Sequence, residues 1–374
     1  MANKKRIKFF SYYGCQDQEK LRTNSPAADS KIDYIIDALN RCGYAVDVIS
    51  RAPSACNHFI KGYTKHHGQN TFRYFSSFGK TRRILRFFNY VFMNLLFFVW
   101  CLYHIKKNDQ VIVYHSLGYD AIFLSLYRLK KLRIIGEIEE IYQDVHKQRK
   151  TVAMNEYKFI DICTKYIFPT SLLNDKVNKS DKPSIILHGL YSVENILEDK
   201  FNDGKIHVVY GGTLDPQKGG AAAAAAAAAF LPENYHLHIC GFGDSSQIKA
   251  IVADVSTHSK AQVTFEGELK GDNYKHFIQK CHIGLSTQNP DAAFNSTSFP
   301  SKILVYLSNG LKVVTIRIPA IELSAVADYL YFYDEQSPQM IAKAIMQAAD
   351  EKVDCRHGLK KLDELFINEL KIFL

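Results

Sequence analysis

An α/β fold in two domains is predicted for this 374-residue chain by three observations. Short apolar strand patterns alternate with helical ones along most of its length. The alternation stops in a polar stretch at 189–205 and restarts cleanly at Ile206. The chain is also long enough for two domains of ordinary size, each with its own core. At 47% hydrophobic and 23% charged residues the composition is globular rather than disordered.

The first domain, predicted over 1–188, opens with a strand at 6–12, Gly14 and a polar loop. Ile32, Ile35, Ile36 and Leu39 then recur at helical spacing, Gly43 ends the helix, and a second strand follows at 45–50. This is how a Rossmann-like domain begins. The first loop has no Gly-x-Gly-x-x-Gly, which argues against a hydride-transfer enzyme. Further strands are predicted at 109–116 and 132–142, where the apolar runs end in His115-Ser116 and in Glu137, Glu139 and Glu140, and near 166–171 and 184–189. Carboxyl ends of strands in open α/β sheets face the ligand crevice. A histidine there relays a proton or is a hydrogen-bonded structural residue, and each glutamate holds a sugar hydroxyl or caps a loop.

Charge is uneven. The net charge is +9, yet no Asp or Glu lies between Asp47 and Asp109. That segment carries Arg51, Lys61, Lys65, Arg73, Lys80, Arg82, Arg83, Arg86, Lys106 and Lys107, and leaves the remainder about neutral. The basic, aromatic segment 51–108 points to an anionic surface as partner. Its apolar run Phe87–Ile105 is interrupted by Asn89, Asn94 and His104. Three readings stand for it: a helix buried in the domain, a helix lying on a membrane, and a membrane span. No nucleic-acid motif accompanies the segment, so nucleic acid is not an expected partner. The eight cysteines stand singly, with no Cys-x-x-Cys pair. They read as free thiols in a reducing compartment, and a cytoplasmic location, peripheral on the inner face of the cell membrane, is expected.

The second domain, predicted over 206–354, has strands at 206–211, 235–240, 261–265, 282–286, 312–316 and 330–334 with helices between. A last amphipathic helix is predicted over 355–373. Nine consecutive alanines at 221–229 occupy a helix position that would bury little, and no function is drawn from them. Three glycine-lined strand ends stand out, Gly211-Gly212-Thr213 leading to Lys218, Gly241-Phe-Gly243, and Phe265-Glu-Gly-Glu-Leu269. Glycines let backbone N–H groups approach a phosphate, although the spacing is not that of a P-loop. Ser298, Ser301 and Lys302 crowd the start of a helix with Pro300 in its first turn and Gly310 past its end, and together they read as an anion site. Asn289-Pro-Asp291 is no Asp-x-Asp motif, and no carboxylates or histidines have ligand spacing, so no metal is expected.

In this order, "YGGTLDPQKGG", "ICGFG", "VTFEGEL", "HIGLSTQ" and "SFPSKILVYLSNGLKVV" resemble the donor-binding domain of GT-B glycosyltransferases, family 4-like, of the bacterial surface-polysaccharide type. The resemblance covers 206–350 well and the first domain more loosely. It implies two Rossmann-like domains facing a cleft, with residues 355–374 as a helix crossing back to the first domain. It further implies sugar transfer from a nucleotide-sugar to a hydroxyl of a glycan or lipid-linked glycan, retaining and metal-independent, with no cofactor beyond the donor. By position it implies that Lys218 contacts the donor diphosphate and that His115 lies near the acceptor. On the reading of the residues themselves, Gly212, Thr213, Gly241, Gly243, Ser298, Ser301 and Lys302 line the donor site, and Glu139 or Glu140 holds the acceptor. The chain departs from the family at Thr213, where many members have arginine, and at Val305, where the second acid of the family's Glu-x7-Glu motif falls. Those departures keep two other readings open: a non-catalytic GT-B-like subunit or glycan-binding scaffold, and a sugar-nucleotide 2-epimerase of the same architecture.

Overall fold

The structure, a computed structural model, describes residues 5–14, 21–23, 25–79, 83–145, 148–215, 219–351 and 355–374. It divides into one unit of Met1–Leu187 with Phe366–Leu374 and another of His188–Leu365.

The first unit holds strands β1 (Arg6–Ser11), β2 (Ala45–Ser50), β3 (Tyr63–His67), β4 (Asn70–Tyr74), β5 (Gln110–Tyr114), β6 (Ile134–Glu137), β7 (Lys165–Phe168) and β8 (Ser184–Ile186). Its helices are α1 (Pro26–Arg41), α2 (Arg83–His104), α3 (Leu117–Lys130), α4 (Tyr142–Val145), α5 (Lys150–Ile162) and α6 (Ser171–Val177). The sheet order is β3-β4-β2-β1-β5-β6-β7-β8, parallel except for the β3–β4 hairpin. Segment 51–86, which shows no period in sequence, contains that hairpin. Asn70, Phe72 and Tyr74 alternate inward on β4, a pattern too short to stand out among basic residues. The core is aromatic: Phe10 packs edge-on to Phe97 and Phe123 at centroid distances of 5.8 and 5.1 Å.

Helix α2 carries the apolar run and has two faces. Met93, Phe97 and Cys101 step by four residues along the buried face. Phe87, Val91, Leu95, Val99 and Tyr103 step likewise along the other face and are exposed. By length and composition α2 could cross a membrane.

The second unit holds β9 (Ile206–Thr213), β10 (Tyr235–Phe242), β11 (Gln262–Gly267), β12 (Ile283–Ser286), β13 (Lys312–Ile316) and β14 (Leu330–Tyr333). Its helices are α7 (Gly220–Ala227), α8 (Ser246–His258), α9 (Gly271–Lys280), α10 (Lys302–Ser308), α11 (Pro319–Glu322) and α12 (Pro338–Asp350). The all-parallel order β11-β10-β9-β12-β13-β14 is that of a dinucleotide-binding sheet, with its switch point between β9 and β12. The polar stretch 189–205 is no free linker. Glu194, Leu197 and Phe201 donate backbone hydrogen bonds to Ser308 O, Gln279 Oε1 and Lys280 O at 3.0, 2.8 and 2.9 Å. The alanine run buries more than expected, with Ala221, Ala224, Ala225, Ala227 and Ala228 in the core.

Helix α13 (Cys355–Phe373) ends within the first unit. There Phe366 stacks on Tyr34 at 5.9 Å, and Gln110 Nε2 donates to Leu374 O at 2.9 Å.

Candidate functional site

In the second unit, the carboxyl ends of β9 and β10 approach each other through glycine backbone. A Cβ on Gly241 would fall 1.9 Å from Gly212 O, so no larger residue fits without moving the strand. Gly243 has φ +117°, a left-handed value that L side chains rarely adopt. Gly220, at the start of α7, is also tightly placed: its Cβ would come 3.0 Å from Thr287 O, at the end of β12. Ends of β9, β10 and β12 therefore converge at the switch point of the sheet.

Helix α10 brings a cation to this place. Tyr306, fully buried, lies on the backbone of Gly284, where a Cβ would meet its ring at 2.4 Å. Its Oη accepts from Gly211 N–H at 2.8 Å. Lys302 is one turn earlier on the same face. Its Nζ sits 4.1 Å from the centroid of the Tyr210 ring and 3.1 Å from the position of a Cβ on Gly212. Tyr210 is fixed in turn, its hydroxyl donating to Thr213 O at 3.2 Å. Burial pushes the Tyr210 and Tyr306 hydroxyls well above the usual phenol range, so both stay neutral. Tyr306→Phe is expected to leave the buried Gly211 N–H unpaired and to lower stability by about 1–3 kcal/mol in urea denaturation.

The structure thus gathers Gly212, Gly241, Gly243 and Lys302 of the sequence-predicted donor set. Thr213 is half-buried, and its hydroxyl accepts from Asp215 N–H at 3.3 Å. Ser298 is half-buried beside Phe299, whose ring packs on His188 at 5.1 Å. Helix α10 is shorter than predicted: it starts at Lys302, Pro300 lies ahead of it, and Ser301 is an exposed cap whose side chain makes no capping hydrogen bond. Val305 is 38% exposed on the same helix. Lys218 lies outside the described residues.

In the first unit, the carboxyl end of β6 carries a second polar cluster. Lys31 Nζ, from α1, lies 3.1 Å from Glu137 Oε1, forms an ion pair with Glu139 and donates to Leu187 O at 3.2 Å. The Lys31 and Glu137 side chains are 5% and 0% exposed, whereas Glu139 is 33% exposed. Burial, then the charge of Glu139, raises the Glu137 carboxyl well above the ordinary carboxylate range. Burial pushes Glu139 up too, but Lys31 and the hydrogen bond from Glu137 outweigh it and hold Glu139 below that range. Two carboxyls shifted in opposite directions therefore share one ammonium. Glu139, with Glu140 half-buried beside it, is the member that a ligand can reach.

His115 does not share that access. Just past β5, its ring stacks on Phe159 at 5.6 Å and 7°, with Nε2 3.4 Å from Asp120 Oδ1. Its side chain is 1% exposed. His115 is interior in this structure, where α3 and α5 close over the strand end. Arg51, one of the ten charges of the basic segment, is likewise interior, 3% exposed, with its guanidinium 5.0 Å from the Tyr119 ring centroid. Lys80 and Arg82 lie outside the described residues, as do the side chains of Arg83 and Arg86. Sequence reasoning missed Lys31, Tyr210 and Tyr306. Lys31 was detectable, since it falls four residues before Ile35 on the inward face of α1.

Residues 205–351 match the family of glycosyl transferases group 1. No curated protein sequence matches the chain. Among solved structures it is similar to trehalose-6-phosphate synthase OtsA, with 10% identity, 98% of this chain and 99% of that one covered, and a TM-score of 0.67. A trehalose-6-phosphate structure from E. coli bound with UDP-2-fluoro glucose gives 11% identity, the same coverages and 0.66. The lipopolysaccharide outer core galactosyltransferase WaaB gives 11% identity, again 98% and 99%, and 0.64.

Proposed function

Since the chain is a glycosyltransferase with the GT-B fold, its residues 205–351 carrying a group 1 domain, we propose that it moves a sugar from a nucleotide-sugar to a hydroxyl of a lipid-linked glycan. The donor diphosphate binds at the glycine ends of β9 and β10, and Lys302 neutralises it as charge develops on the leaving group. The observation that carries this reading is the Lys302 ammonium held over Tyr210 beside Gly212, at the switch point of the sheet. Lys218 adds a second cation by its place in the sequence. Glu139 or Glu140 binds or deprotonates the acceptor hydroxyl, with Lys31 and Glu137 positioning Glu139. Transfer proceeds with retention and needs no metal at the diphosphate, because lysine charge and backbone N–H groups take that task.

A UDP-sugar is the first donor to test, since a structural neighbour is described as bound with UDP-2-fluoro glucose. Calorimetric titration with UDP-, GDP-, CMP- and ADP-sugars tests the site, and failure of all of them at millimolar concentration contradicts it. A non-catalytic scaffold is the second reading, favoured by Val305 on the exposed face of α10 where the family keeps an acid. Turnover of nucleotide-sugar excludes it.

The acceptor's lipid places the enzyme on the cytoplasmic face of a membrane. Supporting this are the apolar stripe Phe87, Val91, Leu95, Val99 and Tyr103 on α2 and the exposed Lys106 and Lys107 at its end. Vesicles of phosphatidylglycerol and phosphatidylcholine should retain the protein at low salt, with neutral vesicles and Leu95→Glu each reducing retention several-fold. Equal retention on neutral vesicles contradicts the anionic-surface reading.

A further inference from the structure

Three histidines of the second unit meet at the end of its sheet opposite the glycines. His207 of β9 pairs in register with His236 of β10, and His238 follows on the same face. One ligand atom from each lies within 4.8 Å of the others. Each ring has its outward nitrogen engaged by an oxygen: His207 Nε2 by Asp203 Oδ1 at 2.9 Å, His238 Nδ1 by Glu266 Oε1 at 2.8 Å and His236 Nε2 by Thr264 Oγ1 at 3.1 Å. Ionised carboxylates only accept, so the outward nitrogens of His207 and His238 carry the protons and their inner nitrogens carry lone pairs. Those inner nitrogens, His207 Nδ1 and His238 Nε2, face each other at 2.8 Å. Two lone pairs so close repel unless an electron-pair acceptor lies between them.

We propose that His207, His236 and His238 bind a divalent transition-metal ion, with Zn2+ the best match to three imidazoles. Carboxylates holding the far nitrogens fix tautomer and ring direction, as the outer partners of metal-bound histidines do. The His207 and His238 side chains are 3% and 4% exposed, while His236 is half-buried and swings inward to complete the set. Zn–N bonds of about 2.0–2.1 Å then need only small ring movements. Phe201 stacks on His207 at 4.2 Å, so the ion ties the segment leading into β9 to the sheet. Its role is structural, because roughly five residues of extended strand, about 16 Å, separate His207 from Gly212.

The test uses the full chain freed of metal by chelator dialysis. One equivalent of Co2+ should give the visible absorption of a low-coordinate site, and Zn2+ should displace it and raise the melting temperature. His236→Gln and Asp203→Asn, both at partly exposed positions, should weaken Zn2+ binding by about 10–100-fold without unfolding the protein. Absence of a stoichiometric Co2+ or Zn2+ complex at micromolar concentration overturns the proposal and leaves a proton between His207 and His238. Unchanged affinity in both variants overturns it too, by putting the metal elsewhere. Neither outcome bears on nucleotide-sugar binding.

Discussion

Lys302→Ala is expected to weaken binding of the donor nucleotide by about 1–3 kcal/mol, roughly 5- to 150-fold, the range for a charge-assisted hydrogen bond to phosphate. The loss in kcat/KM should be larger than the loss in affinity, because the leaving diphosphate carries more charge in the transition state than in the bound sugar conjugate. Folding should change little. The Lys302 side chain is partly exposed, and the anchor of its helix is Tyr306, which stays on Gly284 and Gly211. Lys302→Arg should recover part of the binding but not all, since a planar guanidinium cannot occupy the point above Tyr210 in the same way. Wild-type affinity and turnover in Lys302→Ala would remove the diphosphate from this place.

Lys31→Met is expected to be the most destabilising single change in the first unit, at about 3–5 kcal/mol near neutral pH, the cost of breaking a buried ion pair from one side. The direction with pH separates this cause from simple loss of packing. With Lys31 present, Glu139 is held below the ordinary carboxylate range and Glu137 above it. Without it both folded-state carboxyls rise above their unfolded values. Acids raised in this way contribute stability that is present below the unfolded value and lost as pH climbs through the folded one. The deficit of Lys31→Met should therefore shrink toward acid pH and grow toward neutral. Glu137→Gln, which copies the protonated acid, should cost far less. A deficit independent of pH in urea denaturation would show that Lys31 acts through its methylene stem instead.

Much of the fold was legible because buried parallel strands leave continuous apolar runs such as Val208-Val209 and Val313-Val314, bounded by glycine and polar turns. The β3–β4 hairpin was not, since five-residue strands among Lys, Arg and His offer too few periods. The gathering of Gly212, Gly241 and Lys302 followed from strand ends and a helix start, which depend on local sequence. The burial of His115 and Arg51 did not, because it depends on which helix closes over which strand. The same limit hid the pairing of Lys31 with Glu137, residues 106 apart in sequence, and the approach of His207 to His236-x-His238. The spacing His-x-His alone puts two rings on one face of a strand, but only the order β10-β9 supplies the third.

The central claim is that the glycine ends of β9 and β10 hold a nucleoside diphosphate. A thermal-shift series of the purified protein against UDP, GDP, CMP, ADP and their common sugar conjugates tests it most directly, because a ligand that binds only the native state raises the melting temperature by mass action. A clear, saturable rise with one nucleotide family, diminished in Lys302→Ala, is the expected result. No rise with any of them at millimolar concentration would contradict it and favour a scaffold that has kept the fold without the donor.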